Sequence, residues 1–145
     1  MSTSVRQVLE GKGHDVVTIQ PSASVLQALE LMARTEVGAL VVVDGVQIRG
    51  LFNERDYARK VVLEKKSSQA TRVSEIMTTE VVCVGLDESI EVCMGLMTER
   101  RTRHLPVLDQ DQLAGLVSIG DVVKAIMDEQ KFTIENLERY IMGKL

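Results

Sequence analysis

The chain has 145 residues, a formal net charge of −4 and a pI near 5.2, with 45% hydrophobic and 26% charged residues. That is the profile of one ordinary soluble globular domain, or two small ones sharing a core. The acidity argues against a general nucleic-acid binder, whose footprint is basic. With aromatics at 3% and no Trp, the core must come from Val, Leu, Ile and Met.

In chain order, Val5, Val8 and Leu9 give a short helical stripe, broken at Gly11-Lys12-Gly13. Val16 to Ile19 reads as a strand ending at Pro21. Ser24 can cap the next helix with Gln27 as its capping-box partner, and Val25, Ala28, Leu29 and Met32 share one helical face. After a break at Val37-Gly38, the apolar run Ala39 to Val43 suits a buried strand. Asp44-Gly45 signals a hairpin, Ile48 to Phe52 is the returning strand, and a helix follows from Glu54 to about Leu63. A charged linker, Glu64 to Thr71, ends the unit.

The order then restarts. Val73, Ile76 and Met77 repeat Val5, Val8 and Leu9 at a shift of 68, and from the first strand onward the shift is 65 without gaps. Between Val17 and Asp56 that shift gives 11 identities in 40 positions: Val17, Ser24, Leu31, Met32, Leu40, Val42, Asp44, Gln47, Gly50, Leu51 and Asp56. Chance at ordinary residue frequencies gives about two or three, so the chain is an internal duplication. Each unit is β-α-β-β-α with a leading helix. A unit of this size has a marginal core alone, so the two sheets are expected to pack face to face about a pseudo-two-fold axis, leaving two clefts suited to small ligands. Beyond the second unit, Thr133 to Ile141 is expected to form an extra amphipathic helix striped by Ile134, Leu137 and Ile141. Packing on its own domain and contact with a second copy are both open for it.

Two slots carry the chemistry. Gly115-Leu116-Val117-Ser118-Ile119-Gly120-Asp121 reads as a buried strand running into a helix, and Gly50-Leu51-Phe52-Asn53-Glu54-Arg55-Asp56 is its copy. A polar side chain at a helix start can meet a phosphate, and a carboxylate one turn in can hold a sugar diol. Both copies read as halves of a nucleotide-sensing module. The competing reading is that Asp56 and Asp121 only favour helix starts electrostatically.

The duplicated unit, the strand Arg103-His104-Leu105-Pro106-Val107 and the two Gly-Leu-x-x-x-x-Asp slots resemble a tandem pair of CBS domains. The tail from Phe132 resembles that of small standalone bacterial CBS-pair proteins, which carry no catalytic domain. The resemblance sets the repeats at 5–66 and 73–130, with a C-terminal amphipathic helix over 131–145. It implies an α/β fold of two β-α-β-β-α CBS repeats and an adenosyl ligand: AMP, ADP, ATP, NAD or S-adenosylmethionine. It implies that Asp56 and Asp121 hold ribose hydroxyls and that Ser118 faces the phosphate. Asn53 stands at that hydroxyl position in the first repeat, and its amide can still donate. The adenine is implied to lie against Thr18 and Ile19 with Val37, Gly38 and Ala39, and against Cys83 and Val84 with Arg103, His104, Leu105 and Pro106.

Arg103 precedes a buried strand at the expected cleft and is read as a phosphate contact, with Arg55 a second such candidate. Arg100, Arg101, Arg103 and His104 form one cationic cluster and Arg55, Arg59 and Lys60 a second; the first lacks interleaved aromatics, which argues against a nucleic-acid role for it. Gly11-Lys12-Gly13-His14-Asp15-Val16 begins like a dinucleotide fingerprint but lacks the third Gly and precedes a strand. His14, His104, Cys83 and Cys93 have no metal spacing, and no catalytic constellation or Walker-type loop is present. The two cysteines fall on apolar positions and read as buried hydrophobes, which with the polar N-terminus points to the cytoplasm. No run approaches the ~18 apolar residues of a membrane span.

The expected function is therefore a non-catalytic regulatory sensor of adenine nucleotides, with NAD or AMP favoured and ATP accommodated. The alternative is a ligand-independent protein-interaction scaffold. A homodimer is expected, with an unidentified regulated protein as a further partner.

Overall fold

The computed structural model describes residues 2–143. Its elements are α1 (Val5–Lys12), β1 (Thr18–Ile19), α2 (Val25–Thr35), β2 (Ala39–Asp44), β3 (Gln47–Asn53), α3 (Glu54–Tyr57) continued by a π-helical turn (Ala58–Val62), α4 (Val73–Ile76), β4 (Val84–Gly85), α5 (Ile90–Arg100), β5 (His104–Asp109), β6 (Gln112–Ser118) and α6 (Ile119–Ile141). Two three-stranded sheets result, ordered β1-β2-β3 and β4-β5-β6. In each, the first strand runs parallel to the second. The mixed α/β architecture expected from the repeat is present.

The chain divides into two compact units. A middle unit holds Asp15–Val82 with Gln110–Ala114, and a terminal unit holds Met1–His14, Cys83–Asp109 and Gly115–Leu145. Each unit therefore joins the body of one repeat to the leading helix of the other. The same three backbone hydrogen bonds make that join in both. In the middle unit they are Val25 N to Thr71 O (2.9 Å), Val73 N to Ala23 O (2.8 Å) and Ser74 N to Pro21 O (3.0 Å). In the terminal unit they are Ile90 N to Thr3 O (3.0 Å), Val5 N to Glu88 O (2.8 Å) and Arg6 N to Leu86 O (2.8 Å).

The leading helices are core elements. Val73 and Ile76 of α4 are buried with Val25, Ala28, Met32, Leu40, Val42, Phe52 and Val61. In the terminal unit Val5 and Leu9 are fully buried, as are Ile90, Cys93, Leu105, Val107, Val117 and Val122. Close packing of the leading helix explains the glycine of each slot. A Cβ on Gly50 would lie 2.7 Å from the Thr78 carbonyl oxygen, and one on Gly115 would lie 2.6 Å from Leu9 Cδ1.

The helices start where capping chemistry directs. Ser24 and Gln27 form the expected reciprocal box on α2. On α5, Ser89 caps alone, because Val92 stands where the first repeat has Gln27. Both helices end on a left-handed residue, Glu36 and its repeat mate Arg101. The hairpin expected at Asp44-Gly45 closes β2 on β3 with Asp44 opposite Gln47 and Gly45 at φ 63°.

Three local expectations differ. The strands expected over Val16 to Ile19 and Val81 to Val84 reduce to Thr18–Ile19 and Val84–Gly85, because only those residues pair with β2 and β5. The helix after the first slot tightens into α3 and then widens into a π-helical turn. The helix over Thr133 to Ile141 is not separate but the last third of α6, since no Gly or Pro interrupts Asp128 to Thr133. Its stripe does not pack on its own unit. Ile134, Leu137 and Ile141 are exposed, with Phe132 and Tyr140 beside them.

Candidate functional site

The slot residues gather at one end of each sheet. In the middle unit Ala39 pairs with Asn53 across β2 and β3. Glu54 N donates to Gly38 O (3.3 Å), tying the entry of β2 to the start of α3. Thr18 and Ile19 pair two residues further along β2, with Val41 and Val42. Val37 is partly buried beside the core, and Arg55 lies on the surface. The terminal unit repeats the tie, with Ile119 N donating to Arg103 O (2.9 Å). That bond sets Arg103 and His104 beside the start of α6. Leu105 and Pro106 are buried in β5, and Cys83 is partly buried just before β4.

Each slot closes as a reciprocal capping box. Asn53 Oδ1 accepts from Asp56 N (2.8 Å) while Asp56 Oδ2 accepts from Asn53 N (3.3 Å). Ser118 Oγ accepts from Asp121 N (3.1 Å) while Asp121 Oδ2 accepts from Ser118 N (2.8 Å). Both aspartates therefore do stabilise helix starts. What separates them is how much of each carboxylate remains.

Asp56 is 5% exposed. Thr78 Oγ1 donates to its Oδ1 (3.2 Å), and Lys60 Nζ sits 3.1 Å from the same oxygen while donating to Ile76 O (3.0 Å). Thr78 is itself held against β3 by paired bonds with Leu51, 2.9 and 2.8 Å. Asp121 is more open, with a side chain 22% exposed. Lys12 Nζ donates to its Oδ2 (2.6 Å) and to Leu116 O (2.8 Å). Among the described residues no donor meets its Oδ1.

Electrostatics follow from this packing. Burial alone would raise the Asp121 carboxyl, but the Lys12 ammonium and the Ser118 donors outweigh it and hold the group below its ordinary value. Burial, then Lys12 and Arg103, lower His104 against the opposing pull of Asp121, which favours the neutral imidazole. Neutral imidazole offers one donor and one acceptor. Burial, with the Glu88 charge behind it, pushes the Cys93 thiol up to about 11, and burial raises Cys83 as well. Neither is poised as a nucleophile. Among the described residues no group of three His, Cys, Asp or Glu could hold a metal, and no helix is long and apolar enough to cross a membrane.

Lys12, Lys60 and Thr78 are contacts of the two aspartates that the slot pattern does not contain. Lys12 lies within the rejected Gly11-Lys12-Gly13 motif, and Lys60 within a surface cationic cluster. Nothing in the sequence marks Thr78.

The CBS domain model matches residues 3–63 and 73–128. The chain belongs to the CBS domain family. Its match is a tandem pair, as the duplication requires. The chain is 37% identical over 151 residues to the Arabidopsis thaliana CBS domain-containing protein CBSX3, mitochondrial, covering 98% of this chain and 73% of that protein. Among solved structures it is similar to a putative signal-transduction protein with CBS domains from Burkholderia ambifaria, at 51% identity and TM-score 0.84, covering 88% of this chain and 96% of that one. It shares its fold with the CBS domain pair of protein MJ0100 in complex with 5′-methylthioadenosine and S-adenosyl-L-methionine, at 21% identity and TM-score 0.78, covering 89% and 99% of the two chains.

Proposed function

We propose that this CBS pair is a regulatory sensor that binds an adenine nucleotide reversibly, without turnover. NAD or AMP is favoured and ATP is accommodated. The observation that carries this reading is the half-open carboxylate of Asp121. Its Oδ1 is free to accept from a ribose hydroxyl while its Oδ2 anchors the helix start and Lys12. Charge-assisted bonds of this kind contribute roughly 1.5–3 kcal/mol each. Ser118, Arg103 and the start of α6 supply the phosphate side, and Cys83, His104, Leu105 and Pro106 the base side. In the middle unit, Asn53, Arg55 and Asp56 with Thr18, Ile19 and Val37 to Ala39 form the corresponding site. There the carboxylate is saturated, so this second site binds more weakly. The adenosyl ligands of the MJ0100 pair support the ligand class.

Binding shifts the module's conformation only through different affinities for two arrangements. The regulated partner receives that shift, and two free thiols suit the reducing cytoplasm. The exposed row on α6 favours a homodimer, two-fold homo-oligomers being the commonest assembly. It also supports the second reading, a scaffold that pairs through α6 without a ligand. The deciding experiment is native mass spectrometry of the purified protein, before and after a panel of AMP, ATP and NAD. Adducts of nucleotide mass support the sensor. Dimers free of nucleotide across the whole panel overturn it in favour of the scaffold.

A further inference from the structure

Both slot aspartates are met by a lysine, and the duplication does not explain why. Lys12 reaches Asp121 from the leading helix and bonds Leu116 O. Lys60 reaches Asp56 from the helix after the slot and bonds Ile76 O. They are not repeat mates. At the repeat shifts, Lys12 corresponds to Glu80 and Lys60 to Ala125. Two unrelated positions thus supply the same group to the equivalent carboxylate of each repeat, each tied to a neighbouring backbone carbonyl. The shared requirement is physical: a carboxylate drawn out of water needs a counter-charge.

A ribose diol brings hydroxyls but no charge. A hydroxyl that donates to Oδ1 leaves Lys12 on Oδ2. The Lys12 ammonium has three N–H donors, of which Asp121 Oδ2 and Leu116 O take two, and its side chain is 36% exposed.

We infer that Lys12 is a specificity residue of the Asp121 site: with a ribose hydroxyl on Oδ1 and Lys12 still on Oδ2, the remaining donor of its ammonium pairs with the ligand's phosphate, so the site selects phosphorylated adenosine over uncharged nucleosides. This rests on the nucleotide-binding reading above and adds the charge of the ligand to it. On this account the chain differs in preference from a pair that takes 5′-methylthioadenosine.

The test is calorimetry with AMP and with adenosine, in the unmodified protein and in an Asp56→Ala background that isolates the Asp121 site. The unmodified site binds AMP at least ten-fold more tightly than adenosine. Lys12→Met weakens AMP about ten-fold and leaves adenosine within two-fold, collapsing the ratio, while Lys12→Arg retains it. Should Lys12→Met fail to fold, salt decides in the Arg103→Gln protein: AMP affinity falls between 50 and 500 mM NaCl and adenosine affinity does not. Parallel changes in both ligands, or a salt-insensitive AMP affinity, overturn the role of Lys12. If Asp121→Ala still abolishes AMP binding in that case, the nucleotide reading stands without it. Binding of neither ligand by the unmodified protein overturns both.

Discussion

Asp121 holds a helix start and a lysine at once, and its protonation removes both. Its folded carboxyl lies below the ordinary value of 3.8. The stability it contributes is therefore fully present above that value and is lost as pH falls through the folded one. His104 acts in the same direction higher up. Its folded value lies below 6.5, so the unfolded chain binds its proton first and stability declines as pH falls below 6.5 toward the folded value. Urea titrations across pH 3–8 should show both slopes; Asp121→Asn should remove the lower and His104→Gln the upper. The slot glycines differ in what they face. Gly50 meets backbone, so Gly50→Ala is expected to cost roughly 1–3 kcal/mol, whereas the end of the Leu9 side chain can yield and Gly115→Ala should cost less. The two aspartates were legible in sequence because the repeat places them in matching slots. Lys12 and Thr78 were not, because they reach the carboxylates across 109 and 22 residues of chain and no periodicity encodes that.

Among the elements, caps and faces were the readable part. Ser24 with Gln27, the α2 stripe and the β2 run all follow from local chemistry. Strand extents depended on pairing partners and were overread. The exchange of leading helices was invisible, since the stripe of Val5 and Leu9 is the same whichever body it covers. Its consequence can be measured. Leu9→Ala should cost about 2–5 kcal/mol, as deep core truncations do, and a denaturation midpoint near that of the unmodified protein would show α1 to be peripheral. The left-handed cap Glu36 gives the opposite sign. Left-handed backbone penalises a side chain, while glycine costs extra chain entropy. Glu36→Gly should therefore stabilise by roughly half to one kcal/mol in the same assay.

For the whole molecule, the duplication told the architecture, while the continuity of α6 had to come from the structure. A helix of 23 residues whose last third exposes Phe132, Ile134, Leu137, Tyr140 and Ile141 is an uncovered surface. Such a row is uncommon on a monomer. Sedimentation should find a dimer, and Ile134→Glu with Leu137→Glu should give a monomer with an unchanged circular dichroism spectrum. The sensing claim itself rests on a carboxylate one turn into α6, and calorimetry of AMP against the unmodified protein and Asp121→Ala measures it most directly. The account predicts a ten- to hundred-fold loss of affinity, roughly the free energy of one or two charged hydrogen bonds, in a variant that remains folded. An Asp121→Ala protein that is folded and binds AMP as tightly as the unmodified one would contradict it.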